Sequence, residues 1–511
     1  MKNTKRILCL TLALLMLLVT FIACGKKNTE DTVESQSSVS TENLPTTETD
    51  QYGQEVYEDP TAGLNFGGKQ INFLVRSGSQ YLREWYNENP ASNVDQQIHN
   101  RNLVVQDALG VKLNYIVQEE GANNEAFYTK VTNAGAAGMG ELDVVSGFAA
   151  YATNPNAMPY YVNWFDSEKL PHLNLDKKYW NQNYQRDAAA FGKLYVNVGD
   201  MNLSLYDRCM VVFFNKTKVQ QYVKDSAGTP INLYELVQSG QWYYETFYNM
   251  IKDIYEDTGS VPEERDNTDF YGVTGIKGSE ASDAFLYSLG GMLSTTASDG
   301  SHSLVTDTKL QKLGDIYEAM TAFWYSTGAR MPTDSATNYD VFTGGHALFT
   351  VDVVWHYEAG LTKLHGMSDG YGIIPMPKFD EDQEGYITGV QDAYNVLSIM
   401  HCGPNQDLAM ISAVLEKMAF ESYNTVRPYY VENILKLRNM DFDSSNCFNY
   451  VIDNIRFDFC DVYCAGIGWV RNSLWRAPFA ANASFETNWS NYWRKNNKMV
   501  QDFDAWLLAQ G

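Results

Sequence analysis

The chain is poor in the residues that hold transition metals. Its 511 residues include seven histidines, and neither an HExxH nor a CxxC string occurs. These are the usual spacings of zinc ligands, so the sequence argues against a zinc site. The glycine-rich string that cradles nucleotide phosphates is also missing. We therefore expect no cofactor, and neither kind of string supports an enzymatic reaction.

Positive charge is scarce as well. Lysine and arginine total 38 against 62 acidic residues, which gives a formal net charge of −24. Nucleic-acid binding needs a basic surface, so this balance argues against a nucleic-acid partner. After the first two dozen residues, no uninterrupted apolar run is long enough to span a bilayer.

The N-terminus has the order of a secretory signal peptide. Lys2, Lys5 and Arg6 precede an apolar run from Ile7 to Ala23, and Cys24 follows directly. The Phe-Ile-Ala-Cys ending resembles a bacterial lipobox, in which the cysteine is lipidated. Residues 25–65 are then rich in Thr, Ser, Glu, Asp and Gln, a composition that predicts a disordered tether. We expect a protein that is lipid-anchored at Cys24 on the extracellular face of the cell membrane.

The cysteines after this segment are five in number, which leaves at least one unpaired within the chain. Cys447 is a candidate for a disulfide with Cys460 or Cys464, and the sequence does not decide between them. Cys209 and Cys402 are the other two.

The body of the chain begins with alternating strand and helix patterns. Strand-like runs at 70–76, 111–117 and 142–147 enclose helical patterns at 94–109 and 125–134. This order predicts a parallel sheet with helices on its faces. Ligands of such sheets lie beyond the carboxyl ends of the strands. Residues 77–87 and 146–151 are therefore expected at the edge of a cleft. The run 204–216 reads as one long strand that leads into a second lobe.

Several motifs in this body resemble, in order, those of the extracellular solute-binding proteins of ABC importers, in the carbohydrate-binding group related to maltose-binding protein. The resemblance covers about 440 residues. It rests on Glu84-Trp85, the helix start from Asp95 to Asn102, Phe213-Phe214-Asn215-Lys216, Leu233-Tyr234-Glu235-Leu236 with Gly240-Gln241-Trp242, Gly344 to Thr350 with Trp355, and Tyr371 to Lys378.

This resemblance implies an α/β, two-lobed, periplasmic-binding-protein-like fold of type II, with a hinge between the lobes. It also implies a carbohydrate ligand and the permease subunits of an ABC transporter as partners. We expect a monomer. The expected organisation is a signal peptide at 1–24, a tether at 25–65, lobe 1 at 66–203 and 385–445, lobe 2 at 204–384, and a C-terminal helical segment at 446–511 that packs mainly on lobe 2.

A sugar site needs flat aromatic rings and polar groups that bind adjacent hydroxyls. Candidates with this chemistry follow the predicted strands or flank the crossings between lobes, and Trp355 matches the family's stacking tryptophan. The late tryptophans 469, 475, 489 and 493 favour a core role, as does Trp242. The candidate ligand-binding residues are Glu84, Trp85, Tyr86, Phe148, Tyr151, Asp200, Tyr206, Trp355, Gln391 and Asp392.

One acidic stretch resembles the start of a calcium-binding loop. Asp380, Asp382 and Glu384 stand at positions one, three and five, with Gly385 at six. Position twelve is Gln391 in place of the usual Glu, so we interpret the stretch as an acidic surface loop.

Two alternative functions stay open, namely the same fold binding a peptide or polyamine, and a surface glycoside hydrolase.

Overall fold

The computed structural model describes residues 48–49, 54–86, 90, 92–259, 262–354, 364, 366–401, 403–404, 406–436 and 442–510. By compactness the chain divides into residues 1–56 and 57–511. In the first unit, Thr49 and Glu55 pair as a β-bridge. The signal peptide, Cys24, Trp355 and Cys402 lie outside the described residues.

The second unit opens with the predicted alternation of strands and helices. The helix after the first strand begins at a capping box between Ser92 and Asp95 and ends at Gly110, whose φ of 58° suits glycine. The elements up to the first crossing are β1 (Lys69–Arg76), α1 (Ser79–Leu82), α2 (Asn93–Leu109), β2 (Val111–Gln118), α3 (Glu125–Ala137), β3 (Val144–Phe148), α4 (Ala149–Ala152), α5 (Gln182–Ala188) and α6 (Leu203–Asp207).

The next part of the chain forms the second lobe. The run 204–216, predicted as one strand, is instead split between α6 and a following strand, because the backbone turns at Arg208 and Cys209. The elements of this lobe are β4 (Met210–Asn215), α7 (Lys216–Tyr222), α8 (Leu233–Gln238), α9 (Tyr244–Ile251), β5 (Tyr255–Glu256), β6 (Phe270–Gly275), α10 (Ser279–Ser288), β7 (Ser294–Thr296), β8 (His302–Leu304), α11 (Asp307–Trp324), β9 (Ala329–Arg330), α12 (Ser335–Thr343), β10 (Ala347–Val353) and β11 (Tyr371–Pro375).

The remaining elements return to the first lobe and then run to the C-terminus. They are β12 (Asn395–Ile399), α13 (Leu408–Glu421), a π-helix (Ser422–Val426), α14 (Arg427–Lys436), α15 (Phe442–Asp453), α16 (Phe459–Val462), a second π-helix (Asn472–Arg476), α17 (Ala477–Ala480) and α18 (Phe485–Ala509).

Each lobe contains one mixed sheet. In lobe 1 the strand order is β12-β3-β1-β2, with β1 parallel to both β2 and β3 and β12 antiparallel to β3. In lobe 2 the order is β11-β4-β10-β6-β5, and β9 adds to β6. The parallel sheet expected from the first three strands is thus confirmed. Their carboxyl ends, at Arg76 and Phe148, point to one edge of the sheet.

The segments that link the two lobes run side by side. Cys209 pairs with Val390 as an antiparallel bridge, and Thr388 pairs with Ile455 as a parallel bridge. The C-terminal helix α18 lies against α11 and the β7–β8 hairpin, where Asp504 accepts the backbone N–H of His302 at 2.5 Å. The segment after Asn454 therefore joins the crossings to lobe 2.

Part of the predicted tether belongs to the body. Thr61 is buried, and Asp59 pairs with Lys417 at 2.7 Å. Tyr57 packs edge to face on Tyr179, at 5.7 Å between ring centroids. The tether prediction is therefore wrong for residues 57–65, because apolar and charged contacts with lobe 1 offset the cost of ordering them.

The cysteines seen in the described part of the chain are buried. Cys460 and Cys464 are free thiols, so neither forms the disulfide with Cys447 that the sequence left open. None of the described helices is both long enough and apolar enough to cross a membrane.

Candidate functional site

The carboxyl edge of the lobe 1 sheet carries a cation held between aromatic rings. Arg76 ends β1, and its guanidinium carbon lies 3.5 Å from the ring centre of Tyr81 and 4.4 Å from that of Phe148. Arg76 also pairs with Glu120 at 2.9 Å and donates to the Oδ1 of Asn395 at 3.1 Å. These contacts fix Tyr81 and Phe148 in position where the strands end.

Next to this cation is a cluster of three rings from two parts of the chain. Phe148 and Tyr151 of lobe 1 lie 5.3 Å apart, and Tyr151 lies 5.0 Å from Trp469 at an interplanar angle of 65°. All three side chains are half-buried. The cluster therefore leaves parts of aromatic faces open to a ligand.

Trp469 has an uncommon backbone conformation. Its φ is +63°, in the left-handed region that bulky side chains rarely adopt. Its amide donates to the carbonyl of Cys464 at 3.0 Å, and its carbonyl accepts from the amide of Asn472 at 3.0 Å. Such strain costs about 1–3 kcal/mol and is concentrated at binding and catalytic sites. The conformation turns the indole toward Tyr151.

A carboxylate beside the rings is held by two arginines. The Oδ2 of Asp392 accepts from Arg471 at 2.7 Å and from Arg476 at 3.1 Å. Burial alone would raise the pKa of Asp392, but the two guanidinium groups hold it below its ordinary value. Its side chain keeps 18% of its surface exposed, and Oδ1 has no hydrogen-bond partner among the described residues. Asp392 thus offers one fixed, ionised oxygen to a ligand.

The two arginines reach the same carboxylate because they are joined by a π-helix. In an α-helix, residues five apart point in clearly different directions, whereas the i→i+5 turn of a π-helix places them on one face. The segment Asn472–Arg476 has this geometry and directly follows Arg471. Both side chains also contact the fully buried Asp283 of α10, with Arg476 Nε at 2.9 Å from its Oδ2.

The same network includes a carboxylate with a strongly shifted pKa. Burial raises the pKa of Asp461 to about 7, although the nearby Arg471 opposes the shift. Asp461 accepts the hydroxyl of Tyr287 and pairs with Arg471 at 2.7 Å. At neutral pH, the two arginines and the three aspartates therefore nearly cancel in charge.

A chain of polar side chains links the lobes beside this network. The Nη1 of Arg208 donates to the Oε1 of Gln391 at 3.1 Å, and the Nε2 of Gln391 donates to the Oε1 of Glu280 at 2.5 Å. Arg208 also donates to the hydroxyl of Tyr81 at 3.2 Å. Lobe 1, the crossings and α10 are thus connected through consecutive hydrogen bonds.

Two of the predicted site residues lie in the core. Trp85 is fully buried, donates its indole N–H to Ser146 at 2.7 Å and packs on Phe73. Glu84 is also fully buried and accepts from the amide of Ser204 at 2.8 Å and the side chain of Asn395 at 2.6 Å. Burial raises the pKa of Glu84 to about 7. Neither side chain has a surface for a ligand in this structure, so both belong to the core.

Three other predicted residues lie apart from the ring cluster. Tyr86 is exposed and stacks on Tyr115, with centroids 5.8 Å apart. Asp200 is buried, accepts the hydroxyl of Tyr206 and pairs with Arg427 at 3.4 Å. Burial raises the pKa of Asp200, and Arg427 opposes that shift. Trp355 lies outside the described residues, and its predicted role stays a prediction.

The remaining sequence predictions concern the core and metals. Trp242 is fully buried and donates to the carbonyl of Pro375 at 2.9 Å. In the acidic loop, the Oδ1 of Asp380 accepts from the amides of Asp382 and Gln383. That carboxylate therefore closes a turn. No group of three or more His, Cys, Asp or Glu suited to a metal occurs among the described residues.

One string matches the GxSxG pattern of serine hydrolases, at Gly366-Met367-Ser368-Asp369-Gly370. In hydrolases the serine of this pattern lies between a strand and the helix that follows it. Here the string precedes β11, and the Oδ2 of Asp369 accepts from Asn215 at 2.9 Å. The context is therefore that of a turn before a strand.

The structure brings together four of the predicted residues, Phe148, Tyr151, Gln391 and Asp392, with three that were missed. Trp469, Arg471 and Arg476 come from the C-terminal segment. The nearest signal in the sequence was the late run of tryptophans, which favoured a core role. That interpretation suits Trp475, which is fully buried, but Trp469 is half-buried at the site.

A cluster of aromatic and polar side chains between two mixed α/β lobes is typical of a two-lobed binding protein. Solved structures share this fold. They include a sugar transporter from Rhizobium etli in an open conformation (16% identity, TM-score 0.53, covering 84% of this chain and 98% of that one). Another is an ABC transporter solute-binding protein from Thermotoga lettingae bound with α-D-tagatose (12% identity, TM-score 0.52, covering 85% of this chain and 100% of that one). A third is an ABC substrate-binding protein from Listeria monocytogenes in complex with cycloalternan (14% identity, TM-score 0.50, covering 85% of this chain and 99% of that one).

The chain thus has the two-lobed, periplasmic-binding-protein-like α/β fold of type II that the sequence predicted. A scan against protein-family models and a search of curated proteins find no match.

Proposed function

We propose that this protein is a solute-binding protein that captures a carbohydrate between its lobes and delivers it to the permease of an ABC importer. The observation that carries the proposal is the juxtaposition of Tyr151 and Trp469 with Asp392. Sugars present C–H faces that pack on aromatic rings and hydroxyls that donate to fixed carboxylates. The fold shared with solute-binding proteins supports the same function.

The charges of the site favour a neutral ligand. Asp392 and Asp283 are balanced by Arg471 and Arg476, and the pKa of Asp461 near 7 leaves it partly protonated. A polyamine would need a net negative site. A peptide needs free donors and acceptors along its main chain, whereas the Gln391 amide and both arginines at this site are already bonded to other side chains. We therefore propose an oligosaccharide, rather than a polyamine or a peptide, as the ligand.

The proposal includes a location. The signal-like N-terminus and Cys24 support a lipoprotein on the extracellular face of the membrane, with the segment after Cys24 as its tether. Such an anchor would keep a two-lobed receptor close to its permease. No reaction is proposed, because binding and release are sufficient for delivery.

The test is a calorimetric titration of the purified full-length protein against neutral oligosaccharides, short peptides and polyamines, with chromatography of the ligand afterwards. Saturable binding of an unaltered oligosaccharide is the expected result. Saturable binding of a polyamine or a peptide, with none of any oligosaccharide, would reject the proposal that the ligand is a carbohydrate. Shortened glycan products would identify a glycoside hydrolase instead.

A further inference from the structure

A cavity that shares no lining residue with the ring cluster differs from the rest of the molecule in charge. Its volume is about 550 Å³, within the range of about 300–1,000 Å³ that small-molecule sites occupy. It lies between the end of α5 in lobe 1 and β7 with the first turns of α11 in lobe 2. It shares no lining residue with the site around Trp469.

Four cations and one carboxylate line this cavity, in a chain where acids outnumber bases 62 to 38. Asp187 is used within the wall, because its carboxylate accepts from Arg186 at 2.8 Å and from Arg456 at 3.1 Å. The other two cations are Lys309 and Lys312. The net charge of the residues that line the cavity is therefore opposite in sign to that of the whole chain.

The two lysines are not neutralised. Lys309 and Lys312 lie about one turn apart on α11, so they share a face of the helix. Within the described part of the chain neither forms an ion pair, and the Nζ of Lys309 donates to the hydroxyl of Thr295 at 2.8 Å. Each ammonium has three N–H donors, so both retain capacity for an anionic ligand.

Apolar side chains also line this cavity. Phe457 and Phe459 are almost fully buried there, and Met292 is half-buried beside them. Gly290, with φ of +78°, lies so close to Lys312 that a Cβ in its place would be 3.1 Å from the ammonium. The lining thus combines cationic and apolar side chains, and we call the apolar ones (Met292, Phe457 and Phe459) the floor.

We propose that this cavity binds a small organic anion, with its phosphate or carboxylate group on Lys309 and Lys312 and its apolar body against the floor. The ammonium groups supply charge-assisted hydrogen bonds to the anionic group. The hydroxyl of Thr295 holds Lys309 toward the cavity. This site is separate from the proposed sugar site and does not depend on it.

The probe is phenyl phosphate, titrated calorimetrically into the full-length protein, with inorganic phosphate and phenol as its two halves. We expect saturable binding of phenyl phosphate that is at least about tenfold tighter than either half. Lys309→Gln and Lys312→Gln should each weaken it about fivefold or more. The matched control Lys498→Gln removes an exposed lysine on α18 and should leave it unchanged.

Absence of saturation would overturn the proposal. Equally tight binding of phenol would also overturn it, since the cations would then play no part. So would equal weakening by Lys498→Gln, since the loss would then follow from removing any one positive charge from the protein. Trp469→Ala should not change phenyl phosphate binding. If it does, the anion occupies the sugar site and the second site is rejected.

Discussion

The rings of Tyr151 and Trp469 lie edge to face, 5.0 Å apart, although more than three hundred residues separate them in the chain. Tyr151 follows the third strand of lobe 1, and Trp469 belongs to the C-terminal segment. Burial raises the pKa of Tyr151, and the negative charge of Asp392 adds to that shift. A ligand held at this point would contact both parts of the chain.

The open oxygen of Asp392 gives the first prediction. Asp392→Asn should lower oligosaccharide affinity by about 1.5–3 kcal/mol, the range for hydrogen bonds to a charged group. Calorimetry measures the loss. Asp382→Asn, with the same change in an exposed loop, is the matched control and should leave affinity unaltered. Equal affinity in the two variants would remove Asp392 from the site.

The buried position of Trp85 gives the second prediction. Trp85→Phe loses the hydrogen bond to Ser146 and part of the ring volume, so the free energy of unfolding should fall by about 1–3 kcal/mol. Urea denaturation measures that change, and oligosaccharide affinity should stay the same. Lost affinity with unchanged stability would return Trp85 to the ligand site, where the sequence had placed it.

The buried Glu84 gives a pH dependence of stability. Its pKa is about 7 in the folded protein against 4.5 ordinarily, so the folded state keeps a proton that the unfolded state releases. The free energy of unfolding should therefore fall by about 3 kcal/mol as pH rises from 4.5 to 7, and then level off. The pKa of Asp461 is also raised to about 7, so this group likewise lowers the free energy of unfolding as pH rises. Glu84→Gln should remove about half of the dependence, measured by denaturation between pH 5 and 8. A slope identical to that of Glu384→Gln, an exposed control, would contradict this account.

The anchor is tested on the mature protein. Mass spectrometry of material extracted from membranes should find an N-terminal cysteine that corresponds to Cys24 and carries lipid. An N-terminus at Met1 would show that the first segment is retained. A cleaved chain without lipid would make the protein freely secreted.

The sequence predicted the fold better than the site. Strand periodicity and the glycine after α2 located the parallel strands and their carboxyl ends, because these signals are local. The positions of Phe148 and Tyr151 followed from that topology, whereas Gln391 and Asp392 were predicted from the return of the chain into lobe 1. Trp469, Arg471 and Arg476 could not be placed, since a π-helix and a left-handed tryptophan depend on tertiary contacts. Trp85 was misassigned because a tryptophan among polar neighbours in sequence can still point into the core.

Trp469 is the residue on which the proposed carbohydrate site depends most, and its replacement by alanine is the most direct test. Trp469→Ala should weaken oligosaccharide binding by roughly 1–3 kcal/mol, measured by calorimetry at equal folded concentration. Trp164→Ala is the control, because Trp164 is buried against Trp180 in lobe 1, and it should lower stability while leaving affinity unaltered. Unchanged affinity in Trp469→Ala would show that the carbohydrate does not pack on Trp469 and would contradict the proposed site.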